Sequence, residues 1–396
     1  MTTTAERQRA YRGIPLFGLG LRPFFLFAAI WAALAVPIWI AAHLGMLPQE
    51  RFTRDWHVHE MLFGYLSGVI AGFLLTAVPN WTGRLPVTGA PLMALFALWV
   101  AGRIAMLLSA AHEAAASVVD SLFLFALAAI IARELLAGRN IRNLPVCALV
   151  SILGVANLLT HLGALDAALA RLGERLGLAV VAMLVTLIGG RIVPSFTRNW
   201  MAKRKLTPEP TSPDRFDLAT LVTTGIALLL WLVWPTERTA GAALMIAGVL
   251  NLCRLARWRG WTTAAEPLVL VLHAGYLWLA TALTLIGASV TAPTYAPYAA
   301  GVHALTAGAF GVMTLAVMTR ASLGHTGRPL TATAPISAIY ILANVAAALR
   351  TASPFFPDAY KPLLAAAAIA WSSAFVLFAI VYAPLLLGSR GQSMTT

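Results

Sequence analysis

Apolar runs long enough to cross a bilayer recur from one end of this chain to the other, and no other property of the sequence restricts its fold as strongly. A hydrocarbon core about 30 Å thick takes roughly 20 apolar residues of helix. Such a segment must satisfy its own backbone hydrogen bonds, which a helix does. Twelve runs qualify, over 24–44, 59–80, 90–109, 114–136, 143–165, 176–197, 217–234, 239–257, 267–287, 299–319, 334–350 and 361–387. Charged residues are 11% of the 396, less than half of the roughly 25% usual in soluble domains. The expectation is an all-α polytopic membrane protein of about twelve transmembrane helices, a single transmembrane domain over 1–396.

The net charge of +13 does not mark a nucleic-acid binder, because the basic residues are spread through short loops between apolar runs. If both termini are cytoplasmic, the inner segments carry nineteen Lys and Arg and the outer loops seven, the asymmetry that the positive-inside rule requires. Met1 to Tyr11 lacks an apolar core and a small-residue cleavage site, so no removable leader is expected. The two cysteines, Cys147 and Cys253, form neither a C-x-x-C nor a C-x-x-C-H pattern. Covalently attached c-type haem and an iron–sulfur cluster held by this chain alone are thereby excluded.

A shift of 244 residues aligns Pro23 with Pro267, His59 with His303, Gly64 with Gly308, Thr82-Gly83-Arg84 with Thr326-Gly327-Arg328, and Ala90-Pro91 with Ala334-Pro335. This reads as a duplication. Half that shift carries Pro23 onto Pro145, which opens the fifth run and points to a more diverged middle copy. The domain then divides into three four-helix units, about 15–140, 141–260 and 261–390. Asn199 to Asp217, with Pro208, Pro210 and Pro213, is a hydrophilic linker.

Ionisable groups inside membrane spans are costly and mark functional sites. His43, His57, His59, His112, His161 and His303 fall near the outer face on this topology, and His273 and His325 toward the inner one. His59 and His303 occupy matching places in two repeats and are a candidate haem b pair. Gly64, Gly68, Gly72, Gly301, Gly308 and Gly311 would leave room for a macrocycle, or for close helix packing. His57 and His59 point about 200° apart on a regular helix, so one ion cannot take both. A second outer site, holding copper, non-haem iron or a five-coordinate haem, could draw on His57, Glu60, His43 and His161. His43 and His161 taken singly read as interfacial histidines, and His112 as a solvated loop residue. His273 and His325 could ligate an inner haem or line a quinone pocket with Arg84 and Arg328. Those arginines equally serve as haem-propionate partners or as positive-inside anchors. Arg103 is drawn into its span, either snorkelling or neutralising a propionate.

Arg22-Pro23-Phe24-Phe25, the His57-Val58-His59-Glu60-Met61 run with Gly64, Pro79-Asn80-Trp81-Thr82-Gly83, Leu272-His273 through Trp278, and Arg320 through His325 to Arg328 together resemble the NnrS family. The resemblance spans nearly the whole chain. It implies a bacterial inner-membrane protein associated with haem and copper and tied to nitric oxide metabolism and nitrosative stress. It further implies that His57, His59, His273, His303 and His325 are functional, without dividing them between haem and metal. A looser likeness is to the haem-copper oxidase catalytic subunit, also a bundle of twelve helices in three arcs. The sixth run lacks the histidine that such oxidases use for copper, so oxygen reduction is not expected.

The functional expectation is a nitric oxide reductase-type oxidoreductase with one or two haem b groups. It would reduce NO to nitrous oxide with electrons from membrane quinol or another donor, His57 and Glu60 acting at the outer centre. The alternative is a non-catalytic haem or copper sensor, or a carrier of a metal or metal-NO species.

Overall fold

A computed structural model describes residues 11–108 and 113–388. His112, Arg390 and most of the N-terminal stretch read for a leader lie outside the described residues. Twelve helices are long and apolar enough to span a membrane: α1 Leu21–His43, α2 Arg54–Thr82, α3 Ala90–Leu108, α4 Ala114–Ala137, α5 Ile141–Ala164, α6 Ala167–Lys203, α7 Arg215–Val233, α8 Arg238–Arg257, α9 Pro267–Thr291, α10 Tyr298–His325, α11 Ala334–Phe355 and α12 Pro357–Leu387. No strand occurs among the described residues. The number and order match the apolar runs.

Local chemistry sets the ends. α2 begins five residues before its apolar run because the Thr53 hydroxyl accepts the Trp56 N–H at 3.1 Å, capping a polar first turn. It stops at Gly83, whose φ of +69° only glycine adopts cheaply, with the Gly83 N–H closing on Pro79 O. α7 starts on a reciprocal capping box between Asp214 and Asp217, and α9 on Pro267, preceded by Glu266 accepting the Leu268 N–H.

Among the described residues three π-helical segments interrupt the spans: Glu60–Tyr65 in α2, Val185–Gly189 in α6 and Ala304–Val312 in α10. The first and third begin 244 residues apart. Such turns re-aim side chains and strand carbonyls, and they are frequent at functional sites. In α2 the Gly64 carbonyl is satisfied from outside the ladder, by Trp99 Nε1 at 3.0 Å and by Ser67 Oγ at 3.1 Å.

The chain divides into two compact units. One comprises Met1–Gly177, Ala321–Pro329 and Phe375–Thr396; the other comprises Leu178–Arg320 and Leu330–Ala374. In lipid, helices associate through close packing and hydrogen bonds rather than apolar burial, so small residues matter where backbones meet. In the first unit Gly72 seats the Phe25 ring, Gly68 seats Ala28 and Trp99, and Gly64 seats Arg103. In the second, Gly241 and Gly287 let α8 and α9 touch backbone to backbone, while Gly301, Gly308 and Gly311 are covered by Ile286, Trp278 and Trp371. The glycine rows thus serve helix packing.

Candidate metal centre

At one level of the first unit a group of ionisable side chains is buried together. α2 enters the membrane where α3 ends, α4 begins there and α5 ends there. Antiparallel neighbours therefore bring His59 and Glu60, Arg103, Asp120, and Asn157 with His161 together from helices far apart in sequence. Glu60 is 0% exposed, Asp120 2%, Arg103 4% and His59 6%, so this is a charged cluster out of reach of bulk water.

Its carboxylates and the His59 ring are all engaged, while Arg103 Nε has no hydrogen-bond partner. His59 Nδ1 faces Glu60 Oε1 at 3.0 Å, and its Nε2 faces Asp120 Oδ2 at 3.1 Å and Asn157 Oδ1 at 3.0 Å. His161 Nε2 meets the same Asp120 oxygen at 3.0 Å, and Asn157 Nδ2 donates to it at 2.7 Å. Arg103 bridges the two acids, Nη1 to Glu60 Oε2 at 2.6 Å and Nη2 to Asp120 Oδ1. Gly64 is required beneath it: a Cβ there would lie 2.5 Å from Arg103 Nη1 and 2.9 Å from Glu60 Oε2.

Two features give this cluster a chemistry. With neutral imidazoles, two carboxylates against one guanidinium leave a negative charge in a site that cannot hold it unpaired. When His59 Nδ1–H donates to Glu60, its Nε2 lone pair is turned toward two oxygen acceptors. A cation among Nε2 of His59, Nε2 of His161 and Oδ2 of Asp120, all within 4.8 Å of one another, resolves both, as would a proton on an imidazole or on Asp120. Ligand atoms around a tetrahedral ion bonded at about 2.0–2.1 Å lie about 3.3 Å apart, close to the spacing here. Glu60 behind His59 supplies the carboxylate–histidine support that metal-ligating imidazoles ordinarily have. The donor set fits a metal ion. It does not fit a haem on His59, whose Nε2 side is occupied by Asp120, Asn157 and His161.

Sequence reasoning had named His59 and Glu60 here, had left Arg103 between snorkelling and a propionate partner, and had offered His161 for a second outer site while reading it, taken singly, as interfacial. The structure instead turns the His161 imidazole inward onto Asp120, its side chain only 8% exposed. Asp120 and Asn157 were missed, although a lone acid within an apolar run was the available signal. His57 points elsewhere, its ring stacked on Trp39 at 4.3 Å, with Trp39 in turn stacked on His43 at 5.3 Å.

Arg84, His325 and Arg328 of the first unit are not among the residues of this cluster. Arg84 is exposed at the far end of α2 and pairs with Glu134 at 2.6 Å. His325 closes α10, half-buried, and Arg328 is exposed in the loop that follows. In the second unit, His303 is half-buried at the start of the α10 π-segment with Nδ1 on Ala299 O at 2.7 Å. His273 is buried in α9, its Nε2 on Thr197 Oγ1 at 2.8 Å and its ring against Gly260.

The second unit also holds a buried ion pair that the sequence did not disclose. Arg254 Nε meets Asp217 Oδ1 at 2.7 Å, and Arg254 Nη1 donates to Tyr276 Oη at 2.9 Å. Tyr276 Oη in turn donates to Asn251 Oδ1 at 2.6 Å. Acid, guanidinium and acceptors are matched there, and the network ties α7, α8 and α9 together.

A sequence model described as NnrS protein matches residues 15–390. No curated protein matches the chain.

Proposed function

The chain belongs to the NnrS family, a family of membrane proteins of nitric oxide metabolism generally associated with haem and copper, and from that membership we propose that the buried cluster of α2 to α5 is where NO meets a metal. The observation that carries the reading is the convergence of two imidazoles and a carboxylate on one point. Two histidines and one carboxylate with open positions suit non-haem iron(II), and imidazole suits copper equally.

The proposed reaction is 2 NO + 2 e⁻ + 2 H⁺ → N₂O + H₂O, with quinol as electron donor, in a bacterial inner membrane with both termini cytoplasmic. The bound ion would supply electrons and stabilise charge developing on NO. His59, His161 and Asp120 would hold it. Glu60 would orient His59 through Nδ1 and stand ready as a proton donor, while Arg103 keeps both carboxylates in place. The burial of these groups excludes bulk water and strengthens their electrostatic effect.

For haem b we propose His303 as a ligand, supported by the carbonyl that fixes its Nδ1, with His273 and His325 as further candidates and Arg328 as a propionate partner. His57 is proposed at the approach to the centre, stacked on Trp39. A non-catalytic role as sensor or carrier would use the same site without turnover.

The test is anaerobic NO consumption by dithionite-reduced, metal-loaded protein with nitrous oxide measured as product. Stoichiometric NO uptake without nitrous oxide would establish the sensor or carrier reading instead.

A further inference from the structure

In the second unit the end of α6 and the turn between α8 and α9 form one surface. Thr262 Oγ1 lies 3.4 Å from Met201 Sδ and 2.8 Å from Arg259 O. Met201 O accepts the N–H groups of Arg204 and Leu206, and Trp200, Met201 and Val269 pack together at this seam. Lys205 and Arg259 follow the ends of α6 and α8 with φ of +55° and +58°, where glycine is the usual residue. Long basic side chains are thus kept at positions whose backbone favours having none.

The acids of this end are already taken. Glu209 pairs with Arg198 at 3.5 Å, Asp217 with Arg254 at 2.7 Å, and Asp214 with Arg257. Lys203, Arg204, Lys205 and Arg259 make no salt bridge among the described residues. Arg204 instead lies over the Trp200 ring, its Cζ 4.1 Å from the centroid, and Arg259 lies 5.8 Å from that of Trp261. Two buried donors here have no acceptor, Arg259 Nε and the Nε1 of Trp200, a residue only 8% exposed. Buried donors left without a partner are rare and costly. An apolar face leads up to the same turn: Ile246, Val249 and Leu252 are exposed at three-residue spacing on α8, and Trp261 beyond it is 62% exposed.

We propose that this end of the second unit binds the headgroup of an anionic phospholipid, with an acyl chain along the Ile246, Val249 and Leu252 face of α8. Phosphodiester oxygens accept from Arg259 Nε and from the Arg204 guanidinium, whose planar forks suit phosphate. As Arg204 turns from the Trp200 ring toward the phosphate, Trp200 Nε1 gains an acceptor as well. Trp261 stands at headgroup depth, as interfacial indoles do. A soluble phosphate would meet the cations and leave the apolar face and Trp261 unused. A zwitterionic lipid would bring a further cation to a patch that is already positive.

The test is native mass spectrometry of the full-length detergent-solubilised protein, titrated with dioleoylphosphatidylglycerol and with dioleoylphosphatidylcholine. A basic side chain near an anionic surface is worth roughly five-fold in affinity. Arg204→Gln with Arg259→Gln should therefore weaken phosphatidylglycerol about 30-fold and leave phosphatidylcholine unchanged. Arg204→Lys with Arg259→Lys keeps the charge without the fork and should retain most of the affinity, which separates loss of charge from damage to the fold. Arg238→Gln with Lys361→Gln removes the same charge from the starts of α8 and α12 and should bind as the parent does. Equal affinity in the parent and the Arg204→Gln, Arg259→Gln pair would overturn the proposal. So would an equal loss in the Arg238→Gln, Lys361→Gln pair, or displacement of phosphatidylglycerol by glycerol phosphate.

Discussion

Replacing Gly64 with alanine sets two effects of opposite sign against each other. Helix propensity alone favours alanine over glycine in a helix interior by about 1 kcal/mol. At Gly64, however, the added methyl would sit 2.5 Å from Arg103 Nη1, 2.9 Å from Glu60 Oε2 and 3.1 Å from Trp31 Nε1. Overpacking of that kind costs about 1–3 kcal/mol. If the methyl pushes Arg103 off Glu60, the cost approaches the roughly 3–5 kcal/mol of a broken buried pair. The net expectation is a loss of up to about 4 kcal/mol, with metal content falling because Asp120 loses its anchor. Gly225→Ala in α7 is the matched control: its nearest neighbour is Met183 Cε at 3.8 Å, an ordinary contact. There the propensity gain stands alone, and stability should rise by up to about 1 kcal/mol. Thermal unfolding in detergent and elemental analysis of both variants provide the measurement. A Gly64→Ala protein as stable and as metal-rich as the parent would refute the claim that the ion pair lies against the helix backbone.

Asp120→Asn removes the ligand shared by both imidazoles and leaves Arg103 half-paired; metal per chain should drop below about one tenth, the expected result of deleting a ligand whose supporting shell alone is worth 10–100-fold. Glu60→Gln should keep the ion but weaken its affinity about 10–100-fold, read by competition with a chelator. His57→Ala should leave metal content at the wild-type level, since its ring stacks on Trp39 and not on the cluster; metal loss in this variant would count against the assignment. Hydrogen bonding from Arg257 holds the Asp214 carboxyl down at about 2 from an ordinary 3.8. A depressed value stabilises the fold above the ordinary pKa, and that stability is lost as pH falls through the window from about 4 to about 2. Asp214→Asn keeps a capping side chain yet should melt earlier than the parent at pH 5, the gap closing by pH 2.

The spans were legible because a bilayer leaves the backbone one local solution, and α1 to α12 follow the apolar runs. α6 departs most, beginning nine residues ahead of its run, because its amphipathic first turns are helical without being apolar enough to register. The site was half legible. His59 and Glu60 announced themselves as ionisable groups at a span's start. Arg103, Asp120 and His161 were each visible singly, yet 44 to 102 residues separate them from His59. Their meeting depends on which helix ends share a level and which way each face turns. The π-segment in α2 lies outside any periodicity argument, since a regular helix was assumed when the glycines were read as room for a macrocycle or for close helix packing.

That π-segment also makes the register between the centre and the glycine seam a matter of how one turn is wound. A single-residue deletion between Glu60 and Tyr65 would be absorbed as α2 closes into an uninterrupted α-helix, but closing that turn with every residue kept would turn everything beyond it by about 100° relative to His59. Gly68 and Gly72 would then leave Trp99 and Phe25 while the donor set stayed behind. Along most of this chain an indel in a loop is absorbed by the loop; in this one turn, the winding itself is the functional variable.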